Sequence, residues 1–132
     1  APGFMDKWRE SAFPGGCAHA GEAETSMALH LDKDSVRMDL AENCEIDMNL
    51  QKSKFHWIDL FASGPVKMDS WTSTYAEIGT MGEAAGATAA KGEMLFEEAV
   101  SNVIEFAEEF AARKFLPRTD HHSTPPTIPP PG

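Results

Sequence analysis

The chain has 132 residues, of which 42% are hydrophobic and 9% aromatic, a composition typical of a folded globular protein and not of a disordered one. Its formal net charge of −10 argues against nucleic acid or an anionic membrane as a partner, because both are bound through clustered Lys and Arg. No apolar run approaches the roughly 20 residues that span a bilayer, and two cysteines are too few for a disulfide scaffold, so we expect a cytoplasmic protein with free thiols.

The first 14 residues mix Gly, Pro and polar residues with Phe4, Met5 and Trp8, whose spacing predicts one amphipathic helical turn. These three side chains are interpreted either as packing against a neighbouring element or as a wall over a pocket. The Pro14-Gly15-Gly16 segment follows and permits the close backbone approach that a site loop requires.

One imidazole and two carboxylates then lie within eight residues, His19-Ala20-Gly21-Glu22-Ala23-Glu24-Thr25-Ser26. The apolar residues after this segment predict a short buried helix that begins near Glu24. Carboxylates in the first turn of a helix are favoured by its unpaired N–H groups and by the positive end of its dipole. The segment is therefore a candidate for metal or proton chemistry, and the alternative is a capped helix beside an ordinary loop.

Two strands are predicted in the middle of the chain, Val36–Leu40 and Phe55–Phe61, the second because of its aromatic and branched residues. His30 is placed on the helix surface and His56 on an exposed strand face, both with structural roles. A polar loop from Ser70 to Gly79 follows. Its aromatic residues Trp71 and Tyr75 are candidate substrate contacts, and the alternative is that this region only caps the last helix.

A long helix is predicted from Ala84 to about Phe115, because apolar residues recur at spacings of three and four while glutamates occupy the other faces. Pro117 ends the helix. We expect residues 1–116 to form the folded part and residues 117–132 a Pro-rich extended tail. The side chains predicted to face the core are Phe96, Ala99, Val100, Val103, Ala107 and Phe110.

The motif that begins at His19 resembles the signature of the creatininase family, the creatinine amidohydrolases. A second segment is similar to the one with which that family begins its last helix: Gly79-Thr80-Met81-Gly82-Glu83-Ala84, then Ala89-Ala90-Lys91-Gly92-Glu93. The resemblance covers about residues 13–115 and only the C-terminal part of the family's domain. It implies an α/β fold with a mostly parallel sheet flanked by helices, of which this chain contributes the C-terminal part.

The resemblance also implies a chemistry, in which a divalent metal site activates water to hydrolyse an amide bond, often a cyclic one. Zn, Mn or Fe would suit its carboxylate and imidazole ligands. In the family, the early strands supply Glu-x-His and a bridging Asp, and a later Asn-Gly-His supplies another histidine, but neither motif occurs in this sequence. We therefore expect an N-terminal partner chain to hold most of the metal, in a processed or two-chain enzyme that assembles into a higher oligomer.

By the same resemblance, His19 is the catalytic histidine that donates a proton to the leaving nitrogen or helps to move the water proton. Glu24 binds a metal or orients one of its ligands, and Glu22 ranks below it as a contact to metal or substrate. Gly15 stands where creatininase has a tryptophan, which argues against creatinine itself as the substrate. The alternative function is a noncatalytic structural or regulatory subunit that retains the motif as a turn.

Overall fold

The computed structural model describes residues 2–44, 53–68, 71–119 and 122, so most of the predicted tail lies outside the described residues. None of the helices in these ranges is long and apolar enough to cross a lipid bilayer. The elements in chain order are α1 (Pro2–Trp8), β1 (Cys17–His19), α2 (Glu22–Leu31), two 3-10 turns (Lys33–Ser35 and Met38–Leu40), β2 (Asn43–Cys44), α3 (Thr72–Tyr75), β3 (Met81–Glu83) and α4 (Ala89–Ala112).

The three strands form one antiparallel sheet in the order β1-β3-β2. In the pairing of β1 with β3, His19 lies opposite Met81 and Cys17 opposite Gly82, with an irregularity between the two positions of β1. The chain is therefore a mixed α/β protein, as predicted, but its described strands do not pair in the predicted parallel manner. Antiparallel pairing is slightly more stable per residue, which suits strands of only two or three residues.

The central strand β3 depends on Gly82, which has a positive φ of 131°. A Cβ at this position would overlap the carbonyl oxygen of Gly16, so only glycine allows the two segments to lie so close. Next along the strand, the backbone N–H of Glu83 donates to the Gly16 carbonyl at 2.9 Å. The glycine motif therefore builds a strand that fastens the loop before β1.

The two longer helices were both predicted, although their ends differ from the prediction. Helix α2 begins at Glu22, two residues early, and α4 begins at Ala89 instead of Ala84. The later start of α4 follows from its cap, because the side-chain oxygen of Thr88 accepts a hydrogen bond from the Lys91 backbone N–H at 3.2 Å.

The predicted strand Val36–Leu40 is wrong, because the second 3-10 turn, Met38–Leu40, occupies most of it. The backbone N–H of Leu40 donates to the Arg37 carbonyl at 3.0 Å, and the backbone N–H of Ala41 donates to the Met38 carbonyl at 3.2 Å. These local bonds satisfy the donors that a strand would direct to a neighbouring strand.

The predicted strand Phe55–Phe61 is also wrong, because the segment is irregular, although two backbone bonds typical of a hairpin join its arms over residues 55–66. The Val66 N–H donates to the Phe55 carbonyl at 2.8 Å and the Gly64 N–H donates to the Trp57 carbonyl at 3.1 Å. The reciprocal backbone bond would join the Phe55 N–H to the Val66 carbonyl, but both of these groups bind side chains instead. The Phe55 N–H donates to Ser53 Oγ at 3.1 Å, and the Val66 carbonyl lies 2.8 Å from His56 Nδ1. Side-chain hydrogen bonds thus compete with the ladder and interrupt it.

The core consists of two small clusters of buried side chains. One contains Trp8, Cys17, Ala23 and Leu95, and Phe4 and Met5 of α1 pack against it; the other contains Tyr75, Ala76 and Met81. The predicted core face of the last helix is mostly wrong for this chain, because its side chains beyond half-buried Phe96 are exposed, Val103 to 65%. Helix α4 therefore contacts the rest of the described chain mainly through its first turns.

Candidate functional site

The imidazole of His19 is exposed at the end of β1, immediately before a tight turn. Ala20 adopts a left-handed backbone with φ of 50°, which is uncommon for a residue other than glycine. Two side chains of the motif hold this turn. The Ala20 N–H donates to Glu24 Oε2 at 2.6 Å, and Thr25 Oγ1 donates to the Ala20 carbonyl at 3.1 Å. The position of His19 is therefore fixed by residues of its own motif.

Glu24 is exposed on the first turn of α2, as expected for a carboxylate near a helix N-terminus. Its Oε2 is engaged with Ala20, whereas Oε1 has no hydrogen bond to any residue that the structure describes. The side chain also lines a groove of about 430 Å³ that Val36 and Arg37 border on the other side. Glu24 therefore has one oxygen available to a ligand.

Glu22 has a different environment, because its side chain is fully buried. Oε2 accepts the backbone N–H of Ser11 at 2.8 Å and that of Glu10 at 3.2 Å. Oε1 accepts a hydrogen bond from Lys91 Nζ at 2.5 Å. Lys91 also donates to the Gly86 carbonyl at 2.8 Å. Both oxygens of Glu22 are thus occupied inside the fold, where they join α2, α4 and the segment after α1.

In the buried pair of Glu22 and Lys91, each side chain stabilises the charged form of the other. Burial alone raises the pKa of Glu22, but hydrogen bonds from Lys91 and from the Ser11 and Glu10 backbone outweigh it, so the pKa lies below its usual value. Burial alone lowers the pKa of Lys91, but Glu22 and Glu10 outweigh it and the pKa is raised. Both side chains are therefore charged at neutral pH.

Ser26 of the motif is also buried and structural. Its Oγ accepts the backbone N–H of Thr88 at 3.1 Å, at the N-terminus of α4. Glu22 and Ser26 are four residues apart and share one face of α2, which is a signal that the sequence does contain. The motif thus divides into Glu22 and Ser26, which fasten α4, and His19 and Glu24, which face solvent.

The two aromatic candidates lie in different environments. Trp71 is 83% exposed just before α3, whereas Tyr75 is buried and its hydroxyl donates to the Met68 carbonyl at 3.3 Å. Tyr75 lines a cavity of about 240 Å³ together with His56. The prediction that His56 is exposed is wrong, since it retains only 5% of its accessible surface. The interrupted hairpin folds its imidazole inward.

A buried ion pair between Arg9 and Asp59 was missed by sequence reasoning. The two carboxylate oxygens of Asp59 lie 3.1 and 2.7 Å from the guanidinium nitrogens of Arg9, and one of them also accepts the Gly15 N–H at 3.0 Å. The pair therefore holds the glycine loop that leads to His19. The available signal was an aspartate within an otherwise aromatic and aliphatic run, Phe55–Phe61.

The donor set of the described residues does not by itself form a metal centre. Within these residues, no group of three or more His, Cys, Asp or Glu side chains is placed to hold an ion. His19 and Glu24 are exposed donors on one turn, whereas catalytic metals take about three protein ligands. Cys17 and Cys44 do not form a disulfide, as predicted. Burial raises the pKa of Cys17.

A family model described as creatininase, creatinine amidohydrolase, matches residues 4–107. The match covers well over half of the chain and includes the whole His19 turn, β3 and most of α4. Searches of curated proteins and of solved structures found no match.

Proposed function

Because the chain belongs to the creatininase family, we propose that it is the part of a metal-dependent amidohydrolase that supplies the catalytic histidine, His19. The observation that carries the proposal is the exposed imidazole on a turn held by Glu24 and Thr25. The proposed reaction is hydrolysis of a C–N bond in a small-molecule amide, including cyclic amides.

The role proposed for His19 is proton transfer. Hydrolysis of an amide requires a proton on the leaving nitrogen as the C–N bond breaks, and the attacking water must lose one. An imidazole changes its charge near neutral pH, so one group can perform both transfers. The ring nitrogens of His19 have no hydrogen-bond partner among the residues described, and both are accessible to substrate and water.

Glu24 is the residue of this chain proposed to act beside a metal. Its Oε2 holds the Ala20 N–H, which leaves Oε1 to bind the ion or to orient one of its ligands. A divalent ion, Zn, Mn or Fe, supplies an activated water and polarises the substrate carbonyl when bound. Trp71 and Tyr75 stay candidate substrate contacts, whereas the internal bonds of Glu22 favour a structural role.

The remaining ligands are proposed to come from a partner chain that carries the Glu-x-His and Asn-Gly-His motifs. Two observations support a partner. Neither motif occurs in this sequence, and α4 exposes large apolar side chains that include Val103, Ile104 and Phe106. Contiguous apolar surface of this kind marks interaction sites in folded proteins.

The alternative is a noncatalytic subunit of a creatininase-like assembly. The observation that favours it is the structural use of the motif, since Glu22 and Ser26 join α2 to α4 without any part in chemistry. A purely structural turn does not require the exposed imidazole of His19, and for this reason we favour the hydrolase.

Native mass spectrometry of the purified protein tests the proposal, followed by assay of the same sample on linear and cyclic amides with and without a chelator. We expect a complex of this chain with a second polypeptide, one or two divalent ions per pair, and hydrolysis that the chelator abolishes. A metal-free assembly of this chain alone, inactive on all amides, would contradict the hydrolase and favour the structural subunit.

A further inference from the structure

The cavity beside Tyr75 has about 240 Å³ of space between the interrupted hairpin, α3 and β3. It is far larger than a single water requires. The side chains that matter for its chemistry are His56, Trp57, Lys67, Met68, Tyr75 and Met81. None of them takes part in the proton transfer proposed for His19, although Tyr75 is also a candidate substrate contact.

Among the described residues of this lining, His56 provides the one buried side-chain polar atom without a hydrogen bond. Its Nδ1 lies 2.8 Å from the Val66 carbonyl oxygen, and a carbonyl only accepts, so Nδ1 carries the proton. In the neutral imidazole, Nε2 therefore presents a lone pair. Nε2 is buried and has no hydrogen-bond partner among the described residues. Buried polar atoms in native proteins are nearly always paired, so Nε2, unpartnered among the described residues, is a contact that the cavity offers to a ligand.

The walls of the cavity suit a flat ring. Trp57 Nε1 donates to the Ala62 carbonyl at 2.7 Å, and the Tyr75 hydroxyl donates to the Met68 carbonyl, so the donor hydrogens of both side chains are already engaged. What they offer to a ligand is aromatic surface, and Met68 and Met81 add polarizable thioethers. Side chains of this kind bind rings through stacking and dispersion.

Lys67 supplies a positive charge at the edge of the cavity. Its side chain is exposed, and no carboxylate among the described residues forms an ion pair with it. In a chain of net charge −10, an unpaired ammonium beside an apolar cavity favours an anionic ligand group over a cationic one.

We propose that this cavity binds a small anionic molecule with a flat ring, whose ring N–H or O–H donates to His56 Nε2 and whose anionic group lies against Lys67. Met81 lies opposite His19 in the sheet, so the cavity borders the strand pair that carries the proposed catalytic histidine. We assign the cavity to the nonreacting ring of the substrate, and this assignment rests on the proposed function.

Three probes test the site: 4-hydroxybenzoate, and benzoate and phenol, each of which lacks one of its two polar groups. Their affinities for the full chain are measured by calorimetry, and the binding site is mapped by amide chemical shifts. We expect 4-hydroxybenzoate to bind about 5-fold more tightly than benzoate, which lacks the O–H donor, and than phenol, which lacks the anion. The largest shifts should lie around His56, Tyr75 and Met81.

Variants assign the two contacts. His56→Phe should bring 4-hydroxybenzoate to the affinity of benzoate, and Lys67→Gln should weaken both acids and leave phenol unchanged. Lys67 is exposed, so its variant provides the test even where His56→Phe fails to fold. Lys54→Gln is the matched control, because Lys54 is exposed with its ammonium over the Phe55 ring at 4.9 Å and does not line the cavity.

Equal affinity for all three probes, no binding of any probe, or binding mapped to another surface would overturn the inference. The readout is binding and not turnover, so it separates this inference from the proposed function. An active amidohydrolase whose cavity binds no probe would overturn only the cavity. An inactive, metal-free protein that binds 4-hydroxybenzoate as expected would contradict only the hydrolase.

Discussion

The His19 imidazole stands at the end of β1 on a turn that Glu24 and Thr25 hold, without contributing to the core. Replacing it by alanine should therefore leave the fold, the assembly and the metal content unchanged. The kcat of the assembled enzyme should fall about 100-fold or more, the usual cost of losing a general acid and base. Steady-state kinetics and metal analysis of His19→Ala check this expectation.

His30→Ala is the control for that experiment, because the His30 ring lies against Phe96 at 5.6 Å and is not part of the turn. We expect it to retain activity near that of the parent. Full activity of His19→Ala, or an equal loss in both variants, would contradict the role proposed for His19.

The buried pair of Glu22 and Lys91 should affect stability and its pH dependence. The pKa of Glu22 is lowered from its usual value of 4.5, and the pKa of Lys91 is raised from its usual value of 10.5. The pair therefore contributes its full stabilisation between these two pH values. The contribution is lost as pH falls through the lowered pKa of Glu22 or rises through the raised pKa of Lys91. Glu22→Gln should lower the free energy of unfolding by about 3 kcal/mol at neutral pH, with a smaller difference in acid.

Urea unfolding between about pH 3 and pH 8 measures this difference. Glu24→Gln is the matched control, since Glu24 lies two residues away but is exposed, with one hydrogen bond to Ala20. Its cost should be about 1 kcal/mol or less, and it should not alter the acid dependence to the same extent. Equal effects of the two variants would contradict the structural role of Glu22.

The sequence could place Glu22 and Glu24 near a helix N-terminus but could not separate their roles. The partner of Glu22 is Lys91, 69 residues away in the chain, and it is brought there by the packing of two helices. Arg9 and Asp59 are separated by 50 residues in the same way. Local spacing can indicate which residues share a helix face, but the partner of a buried carboxylate is fixed by tertiary contact, which no local pattern encodes.

Among the elements, the contact between α2 and α4 depends on Gly92, where a Cβ would overlap the Ser26 carbonyl oxygen. Gly92→Ala should therefore destabilise the protein by about 1 to 3 kcal/mol, although alanine is the better helix former by about 1 kcal/mol. Thermal and urea unfolding measure the change. Gly86→Ala is the control for the packing effect, because among the described residues only chain neighbours of Gly86 approach its Cβ position to within 4 Å. A neutral Gly92→Ala would show that the helices do not pack so closely.

The elements also show which local patterns were informative. Helices α2 and α4 were predicted from apolar spacing, which is a strong signal over 10 or 24 residues. The strands are two or three residues long, too short for an alternating pattern. The aromatic segment Phe55–Phe61 has the composition of a strand, but Ser53 and His56 take the hydrogen bonds that a ladder would need.

At the scale of the whole molecule, α4 is amphipathic as predicted, yet most of its apolar face does not meet the core of this chain. The exposed set includes Val103, Ile104, Phe106 and Phe110. Glutamates at positions 97, 98, 105, 108 and 109 occupy the opposite side of the helix. The surface therefore suits a partner that presents an apolar groove to the helix.

The double variant Phe106→Ser/Phe110→Ser tests this surface, because the two rings are 64% and 49% exposed and lie 6.0 Å apart. Their loss should change the stability of the isolated chain by only about 0.5 kcal/mol. The affinity of the assembly should fall at least about tenfold, since exposed aromatic anchors supply most of the binding energy at interfaces. Sedimentation and native mass spectrometry of the assembly measure this effect.

Ile78→Ser, at an exposed position before β3, is the control and should leave the assembly unchanged. An assembly insensitive to the double variant, or equally weakened by Ile78→Ser, would show that the partner does not bind through α4.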